Sequence, residues 1–177
     1  AVRYHVTAEV DGRPFEHVTV DVGFGDLPTL ELQVLRGPDL LSFADIPPAE
    51  VPALPLELHV AEKVHAYTRP YAGGRASTRV KDLADMAAIA SLFPFEAGRL
   101  RSALQATFGA RDTHSLLRAL PPPPTQWRAA YRRMANELGL NPELSVGYEQ
   151  ARAFLDPILA EALPDTARWD PTRRTWS

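Results

Sequence analysis

A small set of charged side chains stands where chemistry could be done: Asp21 and Asp26, then Lys63, then Arg79, Lys81, Asp82 and Asp85. Asp21 lies in His17-Val18-Thr19-Val20-Asp21-Val22-Gly23, on the face opposite three valines and just ahead of a glycine turn. A carboxylate projecting from a strand beside such a turn is a rigid mount for a hard divalent cation. A solvated strand-end aspartate shows the same pattern and is the commoner occurrence; Asp26 is the weaker of the two carboxylates. Leu56, Val60, Lys63 and Tyr67 fall at i, i+4, i+7 and i+11 and so share one helical stripe. A lysine in an apolar stripe is partly desolvated, and it either pairs with a carboxylate, offers its ammonium to a ligand such as a phosphate, or snorkels to water. In Arg79-Val80-Lys81-Asp82-Leu83-Ala84-Asp85, Lys81 and Asp85 are four apart on one face. Taken alone that is an ordinary surface ion pair, worth a few tenths of a kcal/mol, ~0.3.

Other chemistries find less support. His5, His17, His59, His65 and His114 show no ligand spacing such as HExxH, so a zinc site is not expected and the histidines read as structural or solvated. There is no Walker A loop, no GxGxxG and no GxSxG. Trp127, Arg128, Tyr131, Arg132 and Arg133 combine aromatic and basic residues that could grip an RNA backbone and stack a base. The same spacing suits an amphipathic helix with Trp127 and Tyr131 packed inward, which is the favoured reading.

The elements that must position these groups follow from periodicity. Val2, Tyr4, Val6, Ala8 and Val10 alternate with polar residues, as do Val18, Val20 and Val22, the signature of half-buried strands joined through Asp11-Gly12 into a hairpin. Residues 29–35 suggest a third strand and residues 39–43 a short helix. The β signal then ends, and residues 47–55 read as a stiff proline-rich connector. Helices are expected over 56–68, 78–92, 95–108, 113–120, 126–138 and 146–163, the second capped by Ser77 or Thr78 after a glycine-containing loop and the last kinked ahead of Pro157. The run Pro121-Pro122-Pro123-Pro124 is polyproline-like and suggests a boundary. The expectation is an α+β chain in three parts: 1–55 with the strands, 56–120 with the lysine and aspartate motifs, and 121–177 as a C-terminal helical subdomain.

Composition bounds the rest. At 177 residues and 45% hydrophobic, the chain can bury a core. The absence of cysteine excludes disulfides, thiolate metal sites and a cysteine nucleophile, and fits a cytoplasmic setting. No run approaches the roughly 20 apolar residues of a membrane span. A net charge of −3 argues against a broad nucleic-acid footprint while leaving local basic patches open.

Taken in order, Thr19-Val20-Asp21-Val22-Gly23-Phe24-Gly25-Asp26, Leu58-His59-Val60-Ala61-Glu62-Lys63-Val64-His65-Ala66 and Arg79-Val80-Lys81-Asp82-Leu83-Ala84-Asp85 resemble the AbiEii/AbiGii toxin family. Phe154-Leu155-Asp156-Pro157-Ile158-Leu159 and Trp169-Asp170-Pro171 are similar to its C-terminal segments. The resemblance implies a DNA polymerase β-like nucleotidyltransferase fold and the toxin half of a bacterial toxin–antitoxin or phage-defence pair. It further implies Mg2+ or Mn2+, an NTP substrate, an RNA acceptor such as tRNA, and a cognate antitoxin. By motif match Asp21 becomes a metal carboxylate, Lys63 the contact to NTP phosphates and Asp85 the essential carboxylate. Lys81 and Arg79 then contact nucleotide, with Asp82 and Asp26 in support.

That chemistry requires divalent ions held by carboxylates and cations around the developing phosphorane charge. The opening motif of the fold resembles a Gly-Ser turn followed by Asp-x-Asp, and the sequence contains neither. The expectation is that strands carrying it, on the order of a hundred residues, precede Ala1 and that this chain alone is inactive. Two alternatives stay open: a non-catalytic module binding RNA or antitoxin, and phosphoryl transfer to a protein side chain by the same fold.

Overall fold

A computed structural model describes residues 2–23, 32–70 and 79–177. The chain is mixed α+β, with an N-terminal hairpin followed by helices. Strands β1 (Val2–Val10) and β2 (Arg13–Val22) pair antiparallel. Asp11 and Gly12 join them with φ of 51° and 70°, the type I′ geometry whose twist matches antiparallel strands. The register sets Val2 opposite Val22, Tyr4 opposite Val20 and Val6 opposite Val18. One face is therefore apolar, and Arg3, His5, Thr7, His17, Thr19 and Asp21 share the other. The expected half-burial is corrected: the whole of β1 is exposed, Tyr4 at 52% and Val6 at 48%. Alternation tells which residues share a face; burial needs a second layer against it, and no described element buries this one.

The proline-rich connector also requires correction, because it contains a strand. Strand β3 (Gln33–Arg36) pairs antiparallel with β4 (Glu50–Ala53), Leu35 opposite Val51 and Val34 opposite Pro52. Only the later part of the expected third strand lies among the described residues, and it forms this separate ribbon instead of joining the hairpin. Proline is compatible with an edge strand, where one side of the backbone needs no ladder. The short helix between them is a single 3-10 turn, Ser42–Ala44.

The buried core begins at α1 (Leu56–Thr68), whose limits match the expected ones. It packs chiefly on α3 (Ala97–Arg111) and on α2 (Val80–Leu92), which lies in turn against α5 (Leu144–Leu159). Helix α4 (Arg128–Glu137) presents Tyr131 and Ala135 to this assembly, with Trp127 entering from the 3-10 turn ahead of it. The inward packing expected of Trp127 and Tyr131 is observed at 5% and 0% exposure. Leu58, Val64, Leu83, Met86, Leu100, Leu104, Phe154 and Leu155 are buried in the same cluster. Each such side chain contributes ~1.5–3 kcal/mol through its removal from water. Residues from both sides of the proline run share this one core.

Three further expectations change. Residues 113–120 are not helical. Asp112 takes φ 41° and ends α3, and the Thr113 and His114 side chains bond to neighbours in place of a helical ladder. The β signal does not end at residue 55: β5 (Phe95–Glu96), β6 (Arg168–Asp170) and β7 (Thr175–Trp176) form a small sheet. Its indoles are fixed by donation to helix carbonyls, Trp169 Nε1 to Ala90 O at 2.7 Å and Trp176 Nε1 to Phe154 O at 2.9 Å. The last helix stops at Leu159, two residues beyond Pro157, where Glu161 takes φ 54° and Ala162 N donates back to Pro157 O in place of a continued ladder.

Gly147 in α5 is required by Tyr131. A Cβ there would meet Tyr131 Oη at 1.7 Å and Cζ at 2.3 Å, while Tyr131 is fully buried and its hydroxyl has no hydrogen-bond partner among the described residues. Gly147→Ala is expected to lower stability by about 1–3 kcal/mol through overpacking. Tyr131→Phe, which removes an unsatisfied buried hydroxyl, should cost less than about 1 kcal/mol and relieve part of the Gly147→Ala defect. Urea unfolding of the two single variants and the double variant measures both.

Candidate functional site at the α1–α2 seam

Helix α1 carries Lys63 at its middle, on the stripe that begins with Leu56 and Val60. The apolar neighbours of that stripe force the ammonium to find its partners across the seam, and α2 supplies them from its first turns. Asp82 and Asp85, three apart and so on one helical face, both reach it. Lys63 Nζ donates to Asp82 Oδ1 at 3.4 Å and forms a short hydrogen bond with Asp85 Oδ2. The lysine side chain is 18% exposed, Asp82 10% and Asp85 22%, so the triad is set into the surface with Asp85 its most open member. Arg79 Nη1 lies 3.7 Å from Asp82 Oδ2. The four groups carry two positive and two negative charges, which is what allows them to be held at the edge of an apolar core.

Of the alternatives for Lys63, the structure shows pairing with carboxylates. It also removes the simple reading of Lys81 and Asp85 as a surface pair on one helix: Asp85 turns to α1, and Lys81 is exposed. Glu62, beside Lys63 in sequence, faces α3 and receives both of its 3.0 Å bonds from Arg111 Nη2. It ties helices together and does not join the site. Asp21 is found on the polar face of the hairpin, gripped by Arg3 through Nε at 2.6 Å and Nη2 at 2.8 Å. That guanidinium holds its carboxyl below the usual carboxylate range. Asp26, and the Ser77 or Thr78 cap, lie outside the described residues.

Sequence reasoning passed over His59, having set all the histidines aside as structural or solvated. His59 precedes Lys63 by one helical turn and shares its field. Desolvation lowers its pKa first and the Lys63 ammonium second, against the opposing pull of Asp85 and Asp82. The i, i+4 spacing of His59 and Lys63 was the signal that could have found it.

A family model described as the nucleotidyl transferase AbiEii toxin of a type IV toxin–antitoxin system matches residues 1–168 of the 177. The chain belongs to that family. No curated protein matches it. The AbiEii family is one of nucleotidyltransferase toxins, so transferase chemistry and a cognate antitoxin go with membership. No helix among the described residues is long and apolar enough to cross a membrane.

Nucleotidyltransferases generally use a divalent metal with an NTP, and the described residues of this AbiEii chain do not by themselves fit one. No three histidine, aspartate or glutamate side chains among them converge on a point. Asp82 and Asp85 are already balanced by Lys63 and Arg79, and Asp21 by Arg3.

Removal of the Lys63 ammonium leaves Asp82, 10% exposed, and Asp85 side by side without their shared cation. Lys63→Ala is expected to lower stability by roughly 1–3 kcal/mol while the helices persist. In the same variant the two carboxylates act on His59 unopposed, so its titration midpoint moves up from its lowered wild-type position. Histidine-resolved NMR titration of both proteins checks the direction; an unchanged midpoint would separate His59 from the site.

Proposed function

We propose that the seam of α1 and α2 serves transfer of a nucleoside monophosphate from an NTP to an RNA acceptor, with tRNA the first acceptor to test. The observation that carries this reading is Lys63 lodged between Asp82 and Asp85 in a chain of the AbiEii family. A flexible ammonium at a partly open edge can leave its carboxylates for phosphate oxygens as a nucleotide enters. The move neutralises the negative charge that grows on the oxygens around the transferring phosphorus and frees Asp85.

In this scheme a bond forms between an acceptor hydroxyl oxygen and the α-phosphorus, and the bond from that phosphorus to the pyrophosphate oxygen breaks. The hydroxyl proton passes to Asp85, the most exposed carboxylate of the triad, and the leaving pyrophosphate keeps the electron pair. Lys63 compensates negative charge along that path. Arg79 and Lys81, at the opening of α2, contact the nucleotide, and Asp82 holds Lys63 in its resting place. Motif order gives Asp21, with Asp26 following it, the metal-facing role, and that role would require Asp21 to leave Arg3.

The non-catalytic alternative rested on the missing opening motif and on the aromatic and basic residues of α4; the burial of Trp127 and Tyr131 removes the stacking part of that support. Phosphoryl transfer to protein would use the same lysine with attack at the γ-phosphorus, and labelling separates the two. With α-labelled NTPs, Mg2+ and total tRNA, label should enter tRNA once a segment carrying the Gly-Ser and Asp-x-Asp motif is supplied upstream of this chain, not with this chain alone, and should fall by about 100-fold or more in Lys63→Ala of that extended protein. Asp85→Asn should show a comparable loss. Label reaching protein from the γ-position would replace this reading, and undiminished tRNA labelling by a folded Lys63→Ala variant would refute the role of the lysine.

A further inference from the structure

The net charge of −3 is unevenly spread along the chain. Residues 63–81 and 113–136 together hold nine of its 19 lysines and arginines and none of its 22 aspartates and glutamates. Each stretch is bounded by acidic residues, Glu62 and Asp82 for the first, Asp112 and Glu137 for the second. The rest of the chain is acidic in sum, so any cationic surface the protein owns must come from these two stretches.

The tertiary structure brings them together. Helix α3 begins within a few residues of the end of α2, and its start lies at the start of α1, where Arg99 pairs with Glu57. Helix α2 therefore runs antiparallel to α1, and Arg79 and Lys81 at its opening lie alongside the last turn of α1, which Arg69 follows. The second stretch reaches the same turn. Tyr67 Oη donates to Pro121 O at 2.8 Å, the Tyr67 and Trp127 rings meet edge to face with centroids 5.8 Å apart, and His114 Nε2 lies 2.8 Å from Thr68 Oγ1. Arg69, Arg118 and Arg128 are thus gathered at the end of the helical body where Arg79 and Lys81 stand. Arg75 lies outside the described residues.

These cations are available. Arg69, Lys81, Arg118, Arg128 and Arg133 are exposed, and none of them forms an ion pair among the described residues. Arg132 has only Glu143, at 3.7 Å, with both side chains more than half exposed. The carboxylates that border the first stretch already have partners, Glu62 in Arg111 and Asp82 in Lys63. A guanidinium in water without a carboxylate suits a phosphate, which it grips through parallel N–H donors. The exposed residues between the arginines, Thr125, Gln126, Ala129 and Asn136, are polar or small, while Trp127 and Tyr131 turn inward. Leu117 is the one large apolar side chain exposed among the described residues of the two stretches. A protein partner would ask for an apolar centre; a surface of arginine and small polar groups fits nucleic acid.

We propose that this end of the helical body holds the backbone of the RNA acceptor, with phosphates on Arg69, Arg118 and Arg128 and the track continued by Arg132 and Arg133 along α4. Lys81, at its edge, is one helical turn or about 6 Å from Asp85, so RNA held here brings a hydroxyl to the α1–α2 seam. The assignment rests on the reading of that seam as the place where an RNA acceptor reacts. Contacts to phosphate fix register and orientation and carry no sequence information.

Fluorescence anisotropy of labelled total tRNA with the full chain, in EDTA and without NTP, reads this surface apart from transfer. Exchange of Arg69, Arg118 and Arg128 together for Gln is expected to weaken binding by about 10-fold or more at ~0.1 M salt and to reduce the slope of log affinity against log salt by about 2–3. The same three positions changed to Lys should keep the slope, because it counts charges. Arg13, Arg36 and Arg174 are exposed and lie outside both stretches; exchanged together for Gln they alter net charge equally and should leave affinity within about 2-fold. Equal losses in the two triple Gln proteins, no loss in the first, or a folded Lys protein as weak as the Gln protein would each overturn the proposal. Should the first triple variant not fold, its three single Gln variants replace it, each expected to lower the slope by about 1, and three unchanged slopes overturn the proposal equally. Polyglutamate that displaces the label as readily as unlabelled tRNA would assign the surface to an acidic protein instead. Transfer RNA that binds through these arginines yet receives no label from the extended protein would refute the transfer reading and leave the binding surface standing.

Discussion

A lysine ammonium at the edge of an apolar core must be neutralised where it stands, and in this chain the obligation falls on the first turns of α2. Asp82 and Asp85 meet it together. The requirement fixes how α1 and α2 lie against each other, because only a particular rotation of each helix brings both carboxylates to one nitrogen while Val60, Val64, Leu83 and Met86 remain buried. Removing two charges from water is costly, and a pair of this kind contributes less net stability than its contacts suggest. What it supplies is a unique arrangement, and one whose cation is loosely enough held at the open side to be drawn to another anion.

The other features of the helical body support that arrangement from behind. Glu62–Arg111 and Glu57–Arg99 pin α1 to α3 on the flank away from Lys63. The C-terminal sheet fastens α2 and α5 through the two indole donations to Ala90 O and Phe154 O. Tyr131 can enter the core because residue 147 has no side chain. The N-terminal ribbons stand apart from all this. Their strands satisfy their own ladders, yet the apolar face of Val2, Tyr4, Val6, Val18 and Val20 remains in water.

The helix α1 thus carries two polar systems of different character. On one side the charges are exposed enough to exchange partners. On the other, the Thr68 and Thr113 hydroxyls and the His65 and His114 rings lie within hydrogen-bond distance of one another beside Phe108. The separation follows from the helical period: Lys63 and His65 are neighbours in sequence and cannot share a face.

By itself the sequence determined the hairpin and its turn, because two alternating runs flank an Asp-Gly pair; the irregularity in register at Ala8 and Glu9 was not legible in it. It determined α1 residue for residue, since a proline ends the connector just ahead of it, and it marked Lys63, Asp82 and Asp85 as the charged residues to watch. It could not decide which of these would meet. The i, i+4 pattern favoured Lys81 with Asp85, whereas the tertiary packing of α1 on α2 offered Asp85 the more desolvated and therefore stronger partner in Lys63. Nor could local pattern place β4, β6 or β7, whose pairing partners are distant in the chain, or turn residues 113–120 away from helix, since the competing bonds come from His65 and Thr68 on another element. Burial of the hairpin is the remaining case: periodicity names the face to be covered, and only the packed molecule shows whether anything covers it.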